Sequence, residues 1–206
     1  LRYALEIADA LDKAHRQGIV HRDLKPGNLR LAKAGPKLLD FGLARAAGVG
    51  AGTGDLSQSP TMTRALTQEG AIVGTFQYMA PEQLEGKEAD ARTDLWALGC
   101  VLYEMATGAR AFEGESQASL IAAIMTGAPR AVAELSPVAP PALEQLIQRC
   151  LQKDPDARIQ SALDVAFVLD LIGARDSRAT ANEPAATSGT RRAVQVWWAA
   201  IAAVIA

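Results

Sequence analysis

The chain has 206 residues, of which 49% are hydrophobic and 21% are charged, and its formal net charge is −2. These proportions are typical of a folded globular protein and exclude an intrinsically disordered chain. The near-neutral charge argues against nucleic acid as the main partner, because nucleic-acid binders usually carry a basic excess. Cys100 and Cys150 lie in apolar helical contexts, which favours core packing in a reducing compartment.

The first segment of the chain predicts a helix over residues 1–17. Its apolar residues recur at helical spacing on one face, and Gly18 is suited to end it. Residues 19–42 then read as brief strands, "IV", "LRL" and "KLLDF", separated by the turn sequences "KPGN" and "AGP".

Residues 43–80 predict a long loop. Glycines alternate with small residues, and a run of serines and threonines follows. Loops of this length are usually functional or disordered. The hydroxyl groups are either solubilising residues or modification sites.

Helices return from residue 92. The segment "TDLWALGCVLYEMATG" is apolar almost all round and predicts a buried central helix that ends at Gly108. Three more helices are predicted over residues 116–127, 140–151 and 161–172, each with Ser or Pro near its start. The chain therefore predicts a mostly helical body with a small irregular β insert.

The end of the chain changes character twice. Residues 173–190 lack large apolar side chains and predict a flexible linker. Residues 191–206 begin with two arginines, continue with a Trp pair and end in an uncharged apolar run. This order is typical of the start of a membrane span, here truncated, and the arginines would place the preceding body in the cytoplasm. The alternative is a buried C-terminal helix.

The stretch "IVHRDLKPGNL" at residues 19–29 concentrates reactive side chains. On an extended segment Asp23 and Lys25 point the same way, and Asn28 follows a Pro-Gly turn that can bring it back towards them. A carboxylate can accept a proton from an attacking hydroxyl, and an ammonium can offset charge on a phosphoryl oxygen. Asn28 and a second carboxylate, Asp40, offer the oxygen ligands that Mg²⁺ prefers.

Several motifs resemble those of one family and occur in its order. They are "HRDLKPGNL", "DFG" at 40–42, "GTFQYMAPE", "DLWALGCVLYEMATG" and "LQKDPDARIQSA". They resemble eukaryotic-like bacterial serine/threonine protein kinases of the membrane-anchored type, and the resemblance covers residues 1–172. It implies a mainly α fold, namely the kinase C-terminal lobe with a small β insert and without its N-terminal lobe.

The resemblance also implies the roles of the site residues. Asp23 would be the catalytic base and Lys25 would contact the γ-phosphate. Asn28 and Asp40 would hold Mg²⁺ on ATP, so ATP and Mg²⁺ are the expected cofactors.

Other matching residues have supporting roles in the family. Thr75 would pack against the catalytic loop, and His21 would be a structural core histidine rather than a metal ligand. Glu82 and Arg158 would form a buried ion pair, and Asp94 would tie the central helix to the catalytic-loop backbone.

Regulation is implied by the same resemblance. Arg22 and Arg45 resemble a basic pocket for an activation-loop phosphate, and Thr63 and Thr67 are the candidate phosphorylation sites. The expected partners are protein substrates and, for autophosphorylation in trans, a second copy of the protein. The membrane would be a further partner through the C-terminal helix, which gives a single-pass protein with a cytoplasmic kinase region.

Two functional hypotheses remain. A complete kinase needs a glycine-rich loop, a strand lysine and a helix glutamate, and none of them is found here. The first hypothesis is therefore a fragment of an active kinase whose N-lobe is encoded upstream, inactive by itself. The second is a membrane-tethered pseudokinase or protein-interaction module. The retention of Asp23, Lys25, Asn28 and Asp40 favours the enzyme.

Overall fold

A computed structural model of the chain describes residues 1–32, 35–39 and 76–181. These residues form a mainly helical body with one small two-stranded sheet. The prediction of a mainly α, kinase C-lobe-like fold with a small β insert is confirmed.

Helix α1 spans Arg2–His15 and presents its apolar face to the core. Ala4, Ile7, Ala8 and Leu11 are buried there, and the helix packs mainly against the last helix, Ala162–Ala181. The helix ends close to the predicted Gly18, which adopts a left-handed φ of +73°. Glycine takes this conformation without the steric cost that a Cβ atom imposes.

The β insert is a hairpin that follows a short 3₁₀ turn at Pro26–Asn28. Strand β1, Leu29–Ala32, pairs antiparallel with β2, Gly35–Leu38, so that Leu29 lies opposite Leu38. Residues 19–20, which were predicted to be a strand, are not in one. Strand β2 packs against α1, and this contact fixes the hairpin beside the loop at residues 19–28.

Helix α3, Ala91–Thr107, is the centre of the molecule. Asp90 caps its start by accepting a hydrogen bond from the Arg92 N–H at 2.8 Å, and Gly108 ends it in the left-handed conformation. Every residue from Thr93 to Tyr103 is buried, as an apolar pattern on all faces predicts. At Gly99 a Cβ atom would lie 2.6 Å from the Cβ of Cys150, so glycine lets the next helices approach closely.

Five further helices complete the described body. They are α2 at Pro81–Leu84, α4 at Gln117–Thr126, α5 at Val132–Leu135, α6 at Pro141–Cys150 and α7 at Ala162–Ala181. A second 3₁₀ turn, Pro155–Ala157, lies between α6 and α7. Both cysteines are buried and unbridged, which confirms their predicted core packing.

Helix α7 extends beyond its predicted end at residue 172. The prediction of a flexible linker from residue 173 is therefore wrong for residues 173–181, which are helical. Glycine inside a helix costs only about 1 kcal/mol relative to alanine, and no proline follows until Pro184. In the part of the chain that the structure describes, none of the helices combines the length and the hydrophobicity that a membrane span requires. The predicted span at 191–206 lies outside the described residues.

Candidate active site

The loop at residues 19–28 is anchored on the buried N-terminal turn of α3. Asp94 has no solvent exposure, and its two carboxylate oxygens accept hydrogen bonds from the backbone N–H groups of His21 at 2.8 Å and Arg22 at 2.7 Å. His15, at the end of α1, lies with its Nε2 2.8 Å from Asp94 Oδ2. One carboxylate thus joins α1, the loop and the central helix. Because these groups are buried, the loss of any of the hydrogen bonds would be costly.

His21 connects the loop to the β insert. Its Nε2 lies 2.8 Å from the carbonyl oxygen of Leu39, which can only accept, and its Nδ1 accepts from the Asp23 N–H at 3.4 Å. These bonds fix the tautomer with the proton on Nε2. The side chain is 1% exposed, and both ring nitrogens are used within the protein, which is the geometry of a structural histidine.

Arg22 has a strained backbone. Its φ of +68° makes it the one non-glycine residue with positive φ in the part of the chain that the structure describes. Such a conformation costs roughly 1–3 kcal/mol and persists only where neighbours enforce it. Here the N–H is bound by Asp94 at 2.7 Å, and the carbonyl accepts from the Gln83 side chain at 3.0 Å.

Asp23, Lys25 and Asn28 converge as the sequence pattern predicted. Lys25 Nζ lies 2.8 Å from Asp23 Oδ2 and 3.0 Å from Oδ1. Asn28 Nδ2 donates to the Asp23 carbonyl at 2.7 Å and to Oδ2 at 3.0 Å. The 3₁₀ turn at Pro26–Asn28 brings Asn28 back to Asp23.

The accessibility of this cluster suits a reacting group. The Asp23 side chain is 49% exposed and Lys25 is 28% exposed, whereas Asn28 is 7% exposed. An exposed Lys–Asp pair is worth only about 0–1 kcal/mol. Lys25 can therefore turn to another anion at little cost, while the buried Asn28 continues to orient the Asp23 carboxylate.

The residues present fit a magnesium site. Both described hydrogen bonds of the Asn28 amide use its nitrogen, which leaves the oxygen as the atom suited to a hard cation. Leu39, directly before Asp40, is held by its N–H to the Asn28 carbonyl at 2.9 Å and by its carbonyl to His21. Asp40 itself lies outside the described residues, as do Arg45, Thr63, Thr67 and Thr75.

Glu82 and Arg158 form a buried ion pair. The guanidinium donates to Glu82 Oε1 at 2.6 Å and to Oε2 at 2.5 Å, and Thr93 adds a hydrogen bond to Oε1 at 2.9 Å. Burial alone would raise the pKa of the Glu82 carboxyl, but the hydrogen bonds and charge of Arg158 hold it below its ordinary value. The pair joins α2 to the segment before α7.

Sequence reasoning missed three polar residues that complete this framework. They are His15 on Asp94, Thr93 on Glu82 and Gln83 on Arg22. Gln83 did carry a signal for its bond to Ala80, because a glutamine two positions after a helix-starting proline occupies the third helical position, from which its side chain can accept from the N-cap N–H. His15 and Thr93 gave no comparable signal, since their partners come from distant parts of the chain.

The helical body, the anchored loop and the Asp-Lys-Asn cluster together define the C-terminal lobe of a protein kinase. In agreement, residues 1–167 match the sequence model of the protein kinase domain. The chain therefore belongs to the protein kinase family, and the family predicted from its motifs, the bacterial serine/threonine kinases, is confirmed.

Similar proteins support this membership. PknD of Mycobacterium tuberculosis, a serine/threonine-protein kinase, is 42% identical over 190 residues, which cover 91% of this chain and 26% of PknD. A probable serine/threonine-protein kinase of Streptomyces coelicolor is 39% identical over 175 residues, covering 82% of this chain and 24% of its own length. The chain thus spans about a quarter of these curated relatives.

A solved structure shows the same fold. The crystal structure of Rad53 residues 1–466 in complex with AMP-PNP superposes with a TM-score of 0.57 and 25% sequence identity. The match covers 80% of this chain and 38% of the Rad53 chain.

Proposed function

We propose that the protein containing this chain is a serine/threonine kinase that transfers the γ-phosphate of ATP to Ser and Thr hydroxyls of protein substrates. The observation that supports this most is the half-exposed Asp23 carboxylate, oriented by Asn28 and paired with Lys25. A carboxylate, an ammonium and an amide oxygen close together are the groups that phosphoryl transfer needs. The names of the relatives agree with this activity.

Each side chain has a distinct task in the proposed reaction. Asp23 orients the substrate hydroxyl and accepts its proton as the new oxygen–phosphorus bond forms and the bond to ADP breaks. Lys25 leaves its weak pairing with Asp23 and offsets charge on the γ-phosphate. Asn28 and Asp40 would hold Mg²⁺, which neutralises phosphate charge when it is bound. The anchored position of Leu39 beside Asn28 supports a shared site.

The test of this proposal replaces Asp23 in the full-length protein. Asp23→Asn keeps the hydrogen-bonding shape but removes proton acceptance, so phosphate transfer from labelled ATP to a basic acceptor protein should fall by about 10²-fold or more. Asp9→Asn, at an exposed position on α1, is the matched control and should keep wild-type activity. Undiminished transfer by Asp23→Asn would refute the role of Asp23.

We also propose that the kinase activity requires an N-lobe. The glycine-rich loop and strand lysine that cover ATP in the family do not occur within residues 1–206. We therefore expect these residues alone to turn over no ATP. An expressed 1–206 chain with phosphotransfer equal to that of the full-length protein would contradict this part.

Activation-loop phosphorylation is a further part of the proposal. The Arg22 Nε is buried and has no hydrogen-bond partner among the described groups, so it is available to donate to a bound anion. A phosphate on Thr63 or Thr67 would bring nearly two negative charges to Arg22 and Arg45, added by a second copy of the kinase. Mass spectrometry that finds no phosphate between residues 43 and 75 of active protein would contradict this.

Membrane attachment completes the proposal. Arg191 and Arg192, followed by Trp197 and Trp198 and an apolar run, support a span that leaves the kinase region in the cytoplasm. The full-length protein should sediment with membranes, and deletion of residues 193–206 with any apolar continuation should release it. A wild-type protein that stays in the soluble fraction without added salt would argue for the buried-helix alternative.

A further inference from the structure

Gln83 bridges two parts of the molecule. Its Nε2 donates to the carbonyl of Arg22 at 3.0 Å, and its Oε1 accepts from the N–H of Ala80 at 3.0 Å. The first partner lies in the loop that carries Asp23. The second lies at the start of α2, which follows the activation segment. The neutral Gln83 amide therefore binds both segments, one through its nitrogen and the other through its oxygen.

The Arg22 carbonyl belongs to the peptide unit that leads into Asp23. That unit is planar, so its carbonyl and the Asp23 N–H turn together. Gln83 holds the carbonyl end, while His21 Nδ1 accepts from the N–H end at 3.4 Å. The longer bond is the weaker one. Gln83 is therefore the stronger restraint on the orientation of this peptide.

The need for such a restraint comes from the strain at Arg22. A side-chain-bearing residue at φ +68° relaxes unless its neighbours hold it. Asp94 fixes the Arg22 N–H, but the peptide on the other side of the Arg22 Cα can still rotate about ψ. Rotation there would swing the Asp23 carboxylate away from its orientation. A donor on the Arg22 carbonyl opposes this rotation more strongly than the 3.4 Å hydrogen bond from the Asp23 N–H to His21 does.

We infer that Gln83 is a positioning residue for phosphotransfer: its amide N–H group fixes the Arg22–Asp23 peptide and so aims the Asp23 carboxylate at the substrate hydroxyl. The inference rests on the proposed kinase activity. It also links the activation segment to the catalytic loop, because Gln83 can donate to Arg22 only where α2 is seated against the loop. A displacement of α2 would withdraw the donor.

Three variants of the full-length protein separate this role from simple capping of α2. Gln83→Met keeps the approximate shape and removes both hydrogen bonds. Gln83→Lys can still donate to the Arg22 carbonyl but cannot accept from Ala80. Gln83→Glu can still accept from Ala80 but cannot donate to Arg22. Gln148→Met, at an exposed position on α6, is the matched control.

The expected result is an order of activities. Misplacing a reacting group by about 1 Å can cost on the order of 10²-fold in rate. Gln83→Met and Gln83→Glu should therefore lower kcat by about 10-fold to 100-fold, with an unchanged KM for ATP. Gln83→Lys should retain more kcat than either, and Gln148→Met should match wild type.

The opposite order would overturn the inference. If Gln83→Glu keeps wild-type kcat while Gln83→Lys loses it, Gln83 acts by capping α2. Wild-type kcat in all three variants also refutes a positioning role, and leaves the proposed kinase activity standing as long as Asp23→Asn is inactive. An inactive wild-type protein overturns both proposals. If Gln83→Met fails to fold, the comparison of Gln83→Lys with Gln83→Glu still distinguishes a positioning role from capping of α2.

Discussion

At the scale of single residues, the site depends on three buried charged side chains. Asp94, Glu82 and Arg158 are each less than 7% exposed, yet each is fully engaged by partners that are distant in sequence. Burial of a charge is unfavourable unless it is paired and hydrogen-bonded. These residues therefore fix the relative placement of the loop, α2 and α3, and Asp23 depends on that placement.

The Glu82–Arg158 pair gives a stability prediction. Removing one partner of a buried pair usually costs about 3–5 kcal/mol. Glu82→Gln should lie near the lower limit, because Arg158 would keep its hydrogen bonds to three backbone carbonyls, those of Arg92, Gln152 and Lys153. The measurement is the free energy of unfolding in urea. Glu85→Gln is the matched control, since that glutamate is an exposed partner of Lys87, and it should cost less than about 1 kcal/mol.

The same pair predicts a pH dependence. The folded-state pKa of Glu82 lies below its ordinary value of 4.5. Its ionised form therefore contributes stability above that value, and the contribution is lost as the pH falls through the folded-state pKa. The stability difference between wild type and Glu82→Gln should be largest near neutral pH and shrink in acid. A difference that is constant from pH 7 to pH 3 would contradict this explanation.

At the scale of elements, the close contact of α3 with α6 and Leu151 depends on Gly99. A Cβ atom there would lie 2.6 Å from the Cβ of Cys150 and 3.0 Å from Leu151 Cδ2. Neither neighbour is a flexible side-chain end on an open surface, because both residues are buried. The helices would have to separate, and the start of α3, which holds the loop through Asp94, would move with them.

Gly99→Ala should therefore be destabilising, although alanine favours a helix more than glycine does. Overpacking a core typically costs about 1–3 kcal/mol. Gly173→Ala, in α7, is the control and should stabilise the protein, because nothing lies within 4 Å of an added Cβ there. That variant should gain roughly 0.5–1 kcal/mol. Urea unfolding of both variants gives the comparison, and stabilisation by Gly99→Ala would show that α6 can move away freely.

The sequence predicted helices best where their pattern was strongest. The apolar run of α3 and the faces of α1, α4 and α6 gave elements within a few residues of those observed. Helix α7 was predicted too short, because a loss of large apolar residues after Ile172 resembled a linker. Local helix propensity continues without them as far as Ala181.

At the scale of the whole molecule, the sequence predicted the reactive residues of the site but missed some of the residues that hold them in place. Asp23, Lys25 and Asn28 are close in sequence, so a turn suffices to bring them together. Gln83 reaches Arg22 in the loop across 61 residues of sequence, and His15 reaches Asp94, which holds the loop, across 79 residues. Such contacts arise from packing of the complete body, which local sequence patterns do not specify.

The proposed transfer of phosphate to serine and threonine by the Asp23 loop can be measured by phosphoamino-acid analysis of a protein substrate after incubation of the full-length protein with γ-labelled ATP and Mg²⁺. We predict label on phosphoserine and phosphothreonine with wild-type protein and almost none with Asp23→Asn. Label on tyrosine, or equal label from both proteins, would contradict the proposed serine/threonine kinase activity and the role of Asp23 in it.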